Sequence, residues 1–346
     1  MQRRQFLRAG AALTAGCAVA GPLGLLSWSP RAEAANLSVT LTARRGNVTM
    51  IDGTQATLFT FSHNGQMSFP GATLVCQEGD TLTVNLVNQL YTRVAFKVGG
   101  TAIRTTVNSR SSRAFSFNAP AAGTYLYYDD QNNGVNRIMG LHGALIVMPS
   151  GIKNRSFSGG PTFVRQYKWL LGNVDPVWGQ QVQSQGDNRV TQINPDSFMP
   201  RYFTINGLAY EDTHEYNTEI SGHYGEAALV RLLNAGGMVH SPHFHGNHVD
   251  IVSVNHQNFA SNRKKKDVVS MFPLDVRDVI FPFNPPPDAW PPVTPNRMQH
   301  FPMHCHAEMS QTAGGGLYPH GMHAPIVMGM APAQESDLNQ TVNNLP

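Results

Sequence analysis

Regular runs in this chain are short. Segments 37–43, 57–61, 81–87 and 113–118 alternate apolar with polar residues, 144–148 is a short apolar run, and they stop at turn-forming residues. A period of two marks half-buried strands, and runs of this length leave no room for amphipathic helices. The 32 glycines and 23 prolines supply the many turns that such an architecture needs. With 41% hydrophobic and only 14% charged residues, the chain is neither disordered nor a coiled coil. Its 346 residues allow about two domains of ordinary size. Strand-rich units are expected over 35–150 and 160–332, joined by the loose stretch 149–161 and followed by a polar tail, 333–346. The fold class is therefore all-β, as two sandwiches or barrels. The segment around Glu78-Gly79-Asp80-Thr81-Leu82 and the one around Ala228-Leu229-Val230-Arg231-Leu232 echo each other, which suggests one domain type used twice.

Residues 1–34 are read as a targeting segment and set aside from the fold. Arg3-Arg4-Gln5-Phe6-Leu7 carries a twin-arginine pattern, an apolar stretch follows, and Ala32-Glu33-Ala34 offers small residues for cleavage. The protein is expected to be periplasmic or secreted by that route, with no transmembrane segment in the mature chain. Removing Arg3, Arg4, Arg8, Arg31 and Glu33 takes the formal charge from +3 to zero. No basic footprint for nucleic acid is left, and the run Arg263-Lys264-Lys265-Lys266 reads as a solvated loop. Of three cysteines, Cys17 leaves with the signal, Cys76 reads as a small core residue, and Cys305 stands between two histidines.

The chemistry gathers in two histidine windows. One holds His240, His243, His245, His248 and His256; the other holds His300, His304, His306, His320 and His323. In His243-Phe244-His245 and His304-Cys305-His306, strand alternation places both imidazoles on one face and the middle residue on the other. Imidazole and thiolate together suit copper, zinc or iron, and a Cys with two His and a weak Met describes a blue-copper site. No P-loop, dinucleotide fingerprint, G-x-S-x-G or H-E-x-x-H motif is present.

At this point the sequence resembles the multicopper oxidases. Their C-terminal domain pairs an H-P-x-H-x-H segment with a late H-C-H. His240-Ser241-Pro242-His243-Phe244-His245 and His304-Cys305-His306 are similar. In the first half, Phe69-Pro70-Gly71-Ala72-Thr73-Leu74, Gly123-Thr124-Tyr125-Leu126-Tyr127 and Gly140-Leu141-His142-Gly143-Ala144-Leu145 resemble other segments of that family. The resemblance implies two cupredoxin-like Greek-key domains and copper as cofactor, one to three ions. It implies a blue-copper pair, His240 and Cys305, with Cys305 as the point where electrons enter. It also implies four ligands of an oxygen-reducing trinuclear cluster: His243, His245, His304 and His306.

The departures matter as much. Where the first domain of that family reads H-W-H-G and H-S-H, this chain has Phe96-Lys97-Val98-Gly99 and Tyr128-Asp129-Asp130. A complete trinuclear cluster is not expected. The family's second blue-copper imidazole falls at Ser310, and after a long loop His320 and Met322 are the candidates to replace it and the axial ligand, with Met309 another candidate for the latter. The expected function is a copper-dependent oxidoreductase or electron-transfer protein served by a redox partner or small-molecule reductant. A non-catalytic copper store or scaffold is the alternative. Likeness to two-domain relatives implies a homotrimer.

Overall fold

The computed structural model describes residues 33–63, 65–214, 218–286 and 297–333, and a short antiparallel pair, β1 (Val19–Ala20) with β2 (Leu25–Leu26). The twin-arginine motif, Cys17, Ala32, the prolines of 287–295 and the tail from 334 lie outside the described residues.

The first sandwich faces two sheets across one core. One sheet orders β4 (Gln55–Ser62), β3 (Asn36–Thr49), β6 (Thr81–Asn88) and β9 (Ser112–Asn118). The other orders β5 (Leu74–Gln77), β11 (His142–Met148), β10 (Gly123–Tyr128), β7 (Val94–Val98) and β8 (Arg104–Val107). The alternation read in the sequence is visible in β6, where Leu82, Val84 and Leu86 are buried and their neighbours half-exposed. These residues meet Phe61, Phe96, Tyr127 and Val147 in one cluster. All five short runs named from the sequence lie within strands of this sandwich.

The second sandwich repeats the plan. One sheet orders β13 (Tyr202–Ile205), β12 (Arg165–Val174), β15 (Ala227–Asn234), β20 (Val276–Pro282), β17 (Val249–Val254) and β18 (Gln257–Asn258), with β19 (Lys264–Lys266) also on β17. The other orders β14 (Ile220–Gly222), β22 (His323–Met328), β21 (Gln299–Cys305) and β16 (Pro242–Phe244). The order β5-β11-β10-β7 thus has its counterpart in β14-β22-β21-β16, and in each the first pair is parallel. The basic run 263–266 is partly the exposed strand β19, not loop alone; its lysines suit an edge, where charge discourages pairing with other chains.

The two sandwiches meet sheet on sheet. Leu126, Tyr128 and Ala144 pack on Leu170, Leu233, Ala235 and Val276. A buried polar network crosses the same interface. Arg231 donates to Gln166 at 3.0 Å and to Thr124 at 2.7 Å, and Thr124 donates to Asp278 at 2.6 Å. His256 stacks on Tyr125 across the interface at 4.3 Å and lies over Gly100, where a side chain would run into its ring.

Among the described residues, two α-helices interrupt the strands: α1 (Val135–Ile138) and α2 (Pro176–Gln185). The strand-only reading missed α2. It is capped by Asp175, which accepts from Val177 N at 2.8 Å, with Pro176 in the first turn. Only Pro176, Trp178, Gly179 and Val182 are buried, so no apolar stripe announces it; Trp178 and Val182 join the core of the first sandwich.

Candidate metal centre

Pleating decides which side chains of β16 and β21 leave the core. Pro242 pairs with Cys305, His243 with His304 and Phe244 with Met303. Phe244, Met303 and Cys305 are each 1% exposed and belong to the second core, so His243, His245, His304 and His306 stand on the opposite face.

There the imidazoles converge. His245 Nε2 lies 3.1 Å from His304 Nε2, and His306 Nε2 lies 2.9 Å from His243 Nδ1. Ring centroids are 4.2 Å apart for His243 and His245 and 5.1 Å for His304 and His306. One nitrogen from each of His243, His245 and His304 fits within a sphere of mutual distances of 4.8 Å, as ligands of one ion must. Burial, then the neighbouring imidazoles, push His304 down to about 4; the same causes lower His243, and burial with His306 lowers His245. Neutral nitrogens with free lone pairs at mildly acidic pH are what a metal requires. The Asp267 carboxylate, 3.7 Å from His243 Nε2, had no signal in the sequence. A cavity of about 680 Å³ opens on His243 and His245 and is further lined by His248, Lys265, Asp267 and Phe301.

The neighbouring pair expected to hold blue copper is built differently. His240 and Cys305 do meet: Sγ is 3.9 Å from Nδ1. Ser310 comes between them, with its Oγ 2.9 Å from His240 Nδ1 and a hydrogen bond to the Cys305 thiol. On the far side of the ring, the Asn173 amide nitrogen lies 3.0 Å from His240 Nε2. That amide cannot turn round, because its oxygen accepts from Gly237 N at 2.9 Å and Met238 N at 3.3 Å. Asn173 therefore donates to Nε2, and the ring carries its proton on Nδ1, aimed at Ser310. A copper ligand would need that lone pair free. Burial holds His240 down to about 4 and pushes the Cys305 thiol up, while Cys305 accepts from Ser241 N at 3.2 Å.

His320 is not brought to this pair. Ser310 O accepts from Met322 N at 2.7 Å, and Gln311 O from Gly321 N at 3.2 Å, closing the neck of a loop. The intervening residues swing outward, and His320 stands exposed with Asp52, Tyr210 and Glu211 along a separate cavity of about 340 Å³. Met322 returns to the core that holds Cys305, and its carbonyl accepts from Cys305 N at 3.1 Å.

In the first sandwich the counterparts carry no imidazole. Tyr128 pairs with Lys97 as His304 pairs with His243, so Lys97-Val98-Gly99-Gly100 matches His243-Phe244-His245-Gly246. This moves the sequence alignment, which began at Phe96, by one residue, and a one-residue slip exchanges the faces of a strand. Phe96 and Val98 are wholly buried in the core. Lys97 and Arg104 pair instead with Asp130, at 3.6 and 2.9 Å. Asp129 is buried, accepts from Ala95 N and Gln131 N, and is pushed by burial up to about 6. Neither carboxylate is free to serve the histidines.

Comparison with known proteins agrees with this geometry. The family model described as multicopper oxidase matches residues 42–151. L-ascorbate oxidase of Nicotiana tabacum is 35% identical over 195 residues, which is 52% of this chain and 31% of that protein. Over residues 42–151 the chain is thus similar to the multicopper oxidases in sequence. It spans about a third of that curated relative. Among solved structures, the blue copper oxidase from Nitrosomonas europaea superposes with a TM-score of 0.66 at 21% identity, over 85% of this chain and 86% of that one. Copper nitrite reductase from the same organism gives 0.61 at 16%, over 87% and 99%. At these identities the structures establish the two-domain cupredoxin-like fold. Copper is the metal in the names of these relatives. Among the described residues, no helix is long and apolar enough to cross a membrane.

Proposed function

We propose that this protein is an exported copper-dependent oxidoreductase with a non-blue centre, in which His243, His245, His304 and His306 hold copper. The observation that carries the reading is the convergence of His243, His245 and His304 on a common point at the wall of an open cavity. Bound copper would supply one-electron transfer to or from a small reductant in that cavity. The chain's own part is to align four imidazoles on two paired strands, those of His243, His245 and His304 kept neutral by burial, with Phe244 and Met303 packed beneath them. Asp267 beside His243 places a negative charge that favours a cation. Cys305 in this reading is a buried hydrogen-bonded thiol held by Ser310 and Ser241, outside the copper's ligand set. Export by the twin-arginine route and assembly as a homotrimer belong to the same reading, and light scattering of the secreted chain tests the latter.

The experiment is metal analysis with visible and paramagnetic-resonance spectra of the copper-loaded chain, before and after ascorbate. The expected result is bound copper with weak visible absorption and nitrogen coordination, bleached by the reductant and lost in His245→Ala and His304→Ala. An intense blue band that disappears in Cys305→Ser would refute the assignment of Cys305. Copper that stays bound but resists reduction would favour a store over an enzyme.

A further inference from the structure

The histidine face does not stop at the four residues above. His304 on β21 is flanked in register by His243 on one side and by His323 on the other. Residues directly opposite on neighbouring strands share a face, so three strands carry three imidazoles in one row. His323 is the first residue of β22, and no role follows for it from the motifs in the sequence. Its Nδ1 is buried and has no hydrogen-bond partner among the described residues. A buried polar nitrogen without a partner is uncommon and asks for an explanation.

His214, remote in sequence from both histidine windows, extends the row outward. Its ring is parallel to that of His323 within 3°, with centroids 6.1 Å apart. Tyr210 stands perpendicular to both, 4.9 Å from His214 and 4.6 Å from His323. Tyr318 spans the gap back to the main cluster, 6.2 Å from His323 and 5.9 Å from His304. His214 is exposed, which opens the pair to solvent.

Geometry limits what two such rings can do. With metal–nitrogen bonds of about 2.0–2.1 Å, the centroids of two imidazoles on one ion lie roughly 4.5–6.5 Å apart. The His214–His323 separation falls inside that range, as do those of His245 with His304, 5.2 Å, and His304 with His306, 5.1 Å. Asp52 and Glu211, which line the cavity beside Tyr210, put carboxylates near the approach from solvent.

We propose that His214 and His323 hold a second copper ion beside the four-histidine site, at an outer position from which the metal is passed inward along the imidazole row. This rests on the reading of the main site as a copper site, and the two can fail separately.

The test is native mass spectrometry of the full chain titrated with copper(I) against bicinchoninate, for the wild type, His214→Ala, His323→Phe and His245→Ala. Loss of one equivalent in both His214→Ala and His323→Phe, with the rest of the copper retained, is the expected result. Unchanged stoichiometry in both variants overturns the proposal and leaves the main site standing. Unchanged stoichiometry in His245→Ala, with loss in the other two, overturns the main site instead. His214 is exposed, so its variant tests binding without threatening the fold. A second measurement needs no variant: copper should shield His214 and His323 from diethylpyrocarbonate in the wild type. Equal modification with and without copper sinks the proposal.

Discussion

Replacing Asn173 by alanine probes the reasoning about His240 most directly. The amide makes three hydrogen bonds, a buried one to His240 Nε2 at 3.0 Å and partly buried ones from Gly237 N and Met238 N at 2.9 and 3.3 Å. Each is worth about 1 kcal/mol net, and a buried group left without a partner costs about 1–3 kcal/mol. His240 is fully buried, so water does not replace the lost donor. The sum is a destabilisation of about 4 kcal/mol, to be read by urea unfolding of the metal-free chain. A double-mutant cycle with His240→Phe should return a coupling of about 1 kcal/mol or more for the pair. Nitrogen-15 spectra of the wild type should show His240 protonated at Nδ1. A resonance pattern with the proton on Nε2, or a loss below about 1 kcal/mol in Asn173→Ala, would refute the argument that this ring is turned away from copper.

Two further outcomes follow from buried charge. Arg231→Met leaves Asp278 unpaired between the sandwiches and should cost about 3–5 kcal/mol, largely recovered in Arg231→Met/Asp278→Leu, as read by the same unfolding assay. Burial lifts Asp129 from 3.8 to about 6, so between these values the folded state holds a proton that the unfolded state releases; stability from this group, fully present below about pH 4, falls by about 3 kcal/mol as pH rises through 6. Asp129→Asn should flatten the unfolding free energy over that window, and an unchanged slope would discount the buried carboxyl.

Much of the fold was legible because strand alternation is a local code. The run at 81–87 announces one buried face and the wholly apolar run at 144–148 a strand buried on both, and β6 and β11 lie where they predict. The histidine pairs were legible for the same reason, since His243 and His245, or His304 and His306, share a face whenever the segment is extended. Helix α2 was not, because its buried residues are set by the first sandwich packing on Trp178 and not by any stripe of its own. His214 and Asp267 were silent too: a lone histidine and a lone aspartate carry no pattern until another strand arrives beside them.

Sequence alone determined that this chain builds β-sandwiches and that its imidazoles come in same-face pairs, because both depend only on neighbours along the backbone. Tertiary structure decided which pairs meet. Register across β16, β21 and β22 aligns His243, His304 and His323, whereas the closed neck at Ser310 and Met322 carries His320 away. It also decided the state of His240, whose proton is set by an amide on β12, many residues distant in the chain and 3.0 Å away in space. A hydrogen bond of that kind depends on distance and direction, and neither is written in the order of the residues.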